Sequence, residues 1–289
     1  MWQSVWNNSW VIGDFIWTAM DYLGESSIGF ETQTDGMDEC EASEPFPWHI
    51  SFCGDLDVIG QPKPQAAYRS VLWGKSVLEL AVHIPTPAGV DERVGGWGWP
   101  EERASWTWPN SSAIATEAGR DDSDCPCWPC PCNTEPPPMR INVYTKECDS
   151  VVLYLNGKQL TAPAPVSADS QYTVTFNGIA YAPGNLTAVG TRNGTGVPGA
   201  QKTLLTAGAA ASLRLSVDRA TIFHHRNDLA YVTVTAVDSH GVEVPDAANL
   251  VNISLSMPLM EVAAIGNGMN LPLPDPTVRP IHIANPNPY

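Results

Sequence analysis

Charge is scarce in these 289 residues: Asp, Glu, Lys and Arg make up 16%, against about 25% in an ordinary globular protein. That scarcity excludes a charge-rich disordered chain, a coiled coil and a long helical bundle, all of which use Lys and Glu in quantity. Cations are the scarcest, 15 Lys and Arg beside 31 Asp and Glu, for a net charge of −16. A surface of that sign repels phosphate, so nucleic acid and anionic membrane are excluded as partners. Long apolar runs are also missing; none reaches the roughly 18 residues of a membrane-spanning helix. The N-terminal stretch Met1–Met20 is apolar but has no basic residue and is broken by Asn and Asp, so it does not read as a signal peptide. The acidic stretch Asp35–Glu44 lacks the Asp-x-Asp-x-Asp-Gly rhythm of a calcium loop and reads as solvated. No cofactor is expected.

What is present points to β-structure. Turn formers are plentiful, with 23 Gly and 26 Pro, and 43% of the residues are hydrophobic. The 11 Trp suit packing, and they also suit neutral sugars, whose C–H faces stack on indole. Seven Cys are present: Cys40, Cys53 and Cys148 stand apart, while Cys125, Cys127, Cys130 and Cys132 crowd into one Pro-rich run. Asn-x-Ser/Thr sequons begin at Asn7, Asn110, Asn185, Asn193 and Asn252. They lean toward a secreted or extracytoplasmic setting without fixing it.

Periodicity divides the chain. Residues 1–75 hold the near-continuous apolar run Trp10–Trp17, read as a strand buried on both faces. The acidic loop follows, then a helix over Gln65–Trp73 after Pro64. Residues 76–207 read as a β-sandwich with a Pro- and Cys-rich insert at about 110–138. Its strands are Val77–Ile84, Ile141–Tyr144, Val151–Leu155, Tyr172–Phe176 and Leu186–Val189, with a type I′ turn expected at Asn156-Gly157. Residues 208–270 read as a second, incomplete sandwich with strands at Leu213–Val217, Leu229–Val237, Leu250–Leu255 and Val262–Ile265. The tail 271–289 is too Pro-rich for a sheet interior.

Several of these segments resemble glycoside hydrolase family 2, the β-galactosidase-like enzymes. Gly13–Glu25 (GDFIWTAMDYLGE) is similar to the end of the family's catalytic barrel. Gly54–Lys63 (GDLDVIGQPK) and Tyr68–Trp73 resemble its last loop and helix, and Trp97-Gly98-Trp99 its post-barrel Trp-x-Trp. Asp149–Lys158, Tyr181–Leu186 and Asp228–Val234 resemble strands of two C-terminal sandwiches. The resemblance implies a mainly β chain: the last β/α unit of a (β/α)8 TIM barrel followed by two immunoglobulin-like β-sandwich domains. Family members are retaining glycosidases with two catalytic Glu at the C-terminal ends of barrel strands, about 5–5.5 Å apart. No Glu precedes Glu25, so the resemblance implies that both lie outside this sequence and that this chain by itself has no catalytic residue. It leaves Trp17 as part of a sugar subsite, or else as a core aromatic at the barrel end. Asp21 holds a sugar hydroxyl or caps loop N–H groups. The implied partners are a β-linked carbohydrate and the missing barrel portion of the same enzyme. A fragmentary or mis-assembled gene product accounts for the start inside the barrel, the Cys-rich insert and the Pro-rich tail.

Other constellations have plainer readings. Cys125-x-Cys127-x2-Cys130-x-Cys132 lacks the two Cys-x2-Cys pairs separated by a longer loop of zinc knuckles, so no metal is expected and the run reads as disulfides or as a mistranslated or low-complexity insert. His224 and His225 are neighbours in the second sandwich region, and adjacent residues of a strand point to opposite faces, so they would not converge on one metal ion. Trp97, Trp99, Trp106 and Trp108 alternate, as a sugar platform or as domain packing requires. The rival to a glycosidase fragment is a non-catalytic carbohydrate-binding or adhesion module.

Overall fold

The structure is a computed structural model that describes residues 2–23, 31–34, 50–51, 53–84, 91–94, 99–100, 102–108, 138–223, 228–245, 247, 249–256 and 261–266. Its first elements are α1 (Trp2–Asn7), β1 (Tyr22–Leu23), β2 (Glu31–Thr34), β3 (Ile50–Ser51) and α2 (Pro64–Leu72). Next come β4 (Glu79–His83), β5 (Asp91–Val94), β6 (Glu102–Arg103), β7 (Met139–Tyr144), β8 (Ser150–Leu155), β9 (Lys158–Gln159) and β10 (Ala164–Pro165). The series ends with β11 (Thr173–Ile179), β12 (Asn185–Arg192), β13 (Thr195–Leu205), β14 (Ser212–Val217) and β15 (Val232–Val237). The described residues fall into two compact units, one drawn from Met1–Ser70, Ala88–Glu102 and Asn249–Tyr289, the other from Val71–Pro87 and Arg103–Ala248.

The second unit is built on two antiparallel sheets. One has the order β10-β8-β12-β13 with β9 on β8; the other is β11-β7-β4-β6. Alternation sends Met139, Ile141 and Val143 of β7 inward, with Val174 and Phe176 of β11. They meet Val151 and Leu153 of β8 and Leu186 and Ala188 of β12 in a single hydrophobic cluster shared by the two sheets. At the centre lies Trp106, fully buried, its indole donating to the Ala182 carbonyl at 2.9 Å and its ring 5.0 Å from that of Tyr181. Trp108 belongs to the same cluster. Both rings therefore serve the sandwich interior and are withdrawn from any sugar platform. Gly190 leaves room for Cys148: a Cβ there would stand 2.4 Å from the Cys148 Sγ.

Turn chemistry sets the register. Asn156 and Gly157 have φ of 52° and 78°, as a type I′ turn requires. Asn193 and Gly194, at 51° and 75°, repeat the device between β12 and β13. The sequence reading found the first hairpin and missed the second, and with it the whole of β13, whose apolar residues are too dispersed to alternate visibly.

Two expectations fail. The run Trp10–Trp17 forms no strand, and Trp10, Ile12, Phe15 and Trp17 are open to solvent, Ile12 and Phe15 almost completely. A strand buried on both faces needs a neighbour at each edge, and none of the described residues pairs with this run. Leu250–Leu255 and Val262–Ile265 are not strands either. Among the described residues of 208–270, the strands formed are β14 and β15, a hairpin in register from Ser212↔Val237 to Val217↔Val232, with β14 exposed along its length. The acidic stretch Asp35–Glu44, His224, His225 and Cys125 to Cys132 lie outside the described residues, as do Cys40, the tail and nearly all of the insert. Among the described residues no helix is long and apolar enough to cross a membrane.

Candidate functional site

The first unit carries both predicted site residues, and the structure treats them differently. Residues 18–21 run beside residues 53–56. The Thr18 N–H donates to the Cys53 carbonyl at 3.1 Å, and Asp55 and Leu56 donate to Thr18 and Ala19 at 3.0 Å each. Asp21 closes the set on the Leu56 carbonyl at 2.8 Å, and Met20 and Leu56 form a parallel bridge. This close approach depends on Gly54. A Cβ there would fall 2.1 Å from the Asp21 nitrogen and 2.3 Å from the Met20 carbonyl carbon.

Asp21 is buried beneath this segment. Its Oδ1 accepts from the Gly54 N–H at 2.8 Å and from Lys63 Nζ at 2.9 Å, and its Oδ2 accepts from Lys63 at 3.1 Å. Burial raises its pKa, opposed by the Lys63 ammonium and the Gly54 N–H. Gln65, also buried, donates to the Gly54 carbonyl at 2.7 Å. Both carboxylate oxygens thus accept hydrogen bonds that hold two loops together. Lys63, Gly54 and Gln65 were not singled out from sequence. One signal was present: Lys63 precedes Pro64, the first residue of α2, and the Ala66 N–H donates to the Lys63 carbonyl. A cation at a helix N-terminus is electrostatically misplaced, which points to a carboxylate partner elsewhere.

Trp17, by contrast, is 65% exposed, and its peptide bond to Thr18 is cis. Its indole N–H donates to the Tyr22 hydroxyl at 3.3 Å, and the rings meet edge to face, 6.5 Å apart at 81°. The same hydroxyl hydrogen-bonds the Cys53 thiol, whose pKa is pushed up by burial; Cys53 is therefore a protonated packing residue. Nearby loops are fixed in the same fashion. Asp57 accepts from the N–H groups of Ile59 and Gln61 at 2.9 and 2.8 Å, Arg69 pairs with Asp55, and the Trp99 ring lies 5.4 Å from that of Tyr68. The arrangement presents an aromatic face on a braced backbone. Among the described residues no group of His, Cys, Asp or Glu is placed to hold a metal.

Comparison with known proteins defines the class. Residues 213–273 match the family model described as glycoside hydrolase family 2 C-terminal domain 5, and residues 137–198 match a domain of unknown function, DUF4982. In sequence and fold the chain is related to the C-terminal portion of glycoside hydrolase family 2. Among curated proteins it is 26% identical over 252 residues to the β-galactosidase BoGH2A of Bacteroides ovatus, spanning 86% of this chain and 22% of that one. Among solved structures it is similar to a glycosyl hydrolase family 2 member from Bacteroides cellulosilyticus, with 33% identity, a TM-score of 0.61, and coverage of 84% of this chain and 28% of the other. A second member from the same species gives 30% identity and a TM-score of 0.57 over 84% of this chain and 25% of its own. The chain thus spans about a quarter of the length of the relatives it matches.

Proposed function

We propose that this chain is the C-terminal portion of a retaining, β-galactosidase-like glycosidase, comprising the end of its TIM barrel and two supporting immunoglobulin-like sandwiches. Trp17 is its contribution to the sugar site. The observation that carries the reading is the exposed indole of Trp17 on a backbone segment locked from below by Asp21, Lys63 and Gly54. An indole held that way stacks on the apolar face of a hexose ring. Asp21 acts through the backbone it fixes. Hydrolysis of a β-linked glycoside in the intact enzyme proceeds by double displacement. One Glu protonates the leaving oxygen, a second forms the glycosyl-enzyme intermediate, and water then releases the sugar. Both Glu are supplied by sequence outside these residues, so the chain by itself is expected not to cleave a β-galactoside.

The test is the size of the native polypeptide, read on a denaturing gel of source material with an antibody against the β14–β15 hairpin. A band several times larger than the 31.2 kDa of this chain supports the enzyme reading. A band at that mass overturns it in favour of the non-catalytic module. One observation favours the module: the core of the second unit is complete within residues 77–204.

A further inference from the structure

We infer that Asn193 is an acceptor for asparagine-linked glycosylation. Asn7, Asn185, Asn193 and Asn252 are the sequon asparagines among the described residues, and all four are exposed. Their settings differ. Asn7 ends helix α1, and Asn252 lies in an irregular stretch. Asn185 opens β12, and its N–H is taken by the Asn156 carboxamide oxygen at 2.9 Å. The hydroxyl of its sequon partner Thr187 is joined to that of Thr203 at 2.9 Å on the adjacent strand.

Asn193-Gly194-Thr195 instead forms the tip of a hairpin. Arg192 pairs with Thr195, leaving Asn193 and Gly194 as the two-residue loop. Positive φ at both positions makes it a type I′ turn, and the Asn193 and Thr195 side chains are both exposed. The backbone is anchored independently of the carboxamide: the Asn193 N–H donates to Asp149 Oδ2 at 2.7 Å, and the Asp149 N–H donates to the Thr191 carbonyl at 2.9 Å. A bulky polar substituent on Asn193 Nδ2 projects from the apex into water and disturbs neither the ladder nor the turn.

The co-substrate is a polyprenyl-diphosphate oligosaccharide. The Asn193 carboxamide nitrogen attacks the anomeric carbon of its first sugar, forming the N–C bond while the bond from that carbon to the phosphate oxygen breaks. Polyprenyl diphosphate leaves, and the amide proton passes to a carboxylate of the transferase. The Thr195 hydroxyl is the group the transferase reads. Transfer takes place on the extended chain, before the hairpin closes, and the folded setting decides which glycan the finished structure accommodates without disturbing its ladder.

The experiment uses protein immunoprecipitated from its source, treated with peptide N-glycosidase F and digested with trypsin. The expected product is the Asn193–Lys202 peptide with Asn193 converted to aspartate, and that peptide is not recovered unmodified before the glycosidase. Recovery of the unmodified peptide at full yield without the glycosidase overturns the inference. As a second measurement, the whole chain is directed into the secretory pathway of eukaryotic cells. Asn193→Gln and Thr195→Ala are each expected to remove one glycan's step of gel mobility; no change with either variant overturns it. Both readouts are set before folding, so an unstable variant still answers.

Discussion

At the scale of single residues, the site rests on one glycine and one ion pair. Gly54→Ala drives a methyl group into backbone atoms of Met20 and Asp21 that have nowhere to move. We expect a loss of at least about 3 kcal/mol in urea unfolding, at the upper end for overpacking. Asp21→Ala strips Lys63 and the Gly54 N–H of their acceptor and should cost about 3 kcal/mol. Asp21→Asn keeps one acceptor and should cost roughly half of that. Trp17→Ala, on an exposed side chain, should leave the unfolding midpoint within about 0.5 kcal/mol while abolishing any measurable galactoside binding. Two carboxylates give opposite pH signatures. Asp238 accepts from the N–H groups of Gly208, His240 and Val242 at 2.8, 2.8 and 2.9 Å, which holds its pKa below the ordinary 3.8. Its stabilisation is complete above that ordinary value and is lost as pH falls through the lower folded value. Asp21, raised above 3.8 by burial, binds its proton more tightly when folded. Its contribution is complete below 3.8 and declines as pH rises through the folded value. Unfolding midpoints measured from about pH 6 down to about pH 2 should show Asp238→Asn flattening the acid limb and Asp21→Asn flattening the limb above it.

At the scale of elements, the hairpins and the central strands carry the order. Gly157→Ala places a side chain at φ 78° and should cost about 1–2 kcal/mol, seen as a lower thermal midpoint with the same near-ultraviolet spectrum. Amide exchange should be slowest in β7, β8 and β12, whose inward residues Ile141, Val151, Leu153 and Leu186 are fully buried. It should be fastest in β14, which is exposed along its length. A protection pattern with β14 equal to β12 would show that the hairpin is covered in solution. Helix α2 was legible from Pro64 and its apolar spacing. The run Trp10–Trp17 was misread as a strand, because an apolar run states that burial is needed and says nothing of what covers it.

At the scale of the whole molecule, the second unit's sandwich closes on its own core. Residues 71–207 alone should therefore unfold in one cooperative step by calorimetry. Trp106→Ala in that piece should cost about 3–5 kcal/mol, since the indole fills the centre of the cluster and its N–H is bonded to Ala182. A broad, non-cooperative transition in the unmutated piece would show that the first unit is needed to complete it.

The sequence by itself determined the β-rich class, the first I′ hairpin, the approximate positions of β7, β8 and β12, and the kinship of the chain. Those depend on local patterns: period-two hydrophobicity, turn dipeptides with positive φ, and short motifs read in order. Only the tertiary structure decided the surroundings of Trp17, Asp21, Trp106 and Trp108. Nothing local distinguishes an indole that faces solvent from one at the centre of a sandwich, or a carboxylate that awaits a ligand from one already held by a lysine 42 residues away. Those distinctions are set by which distant segments arrive beside each side chain.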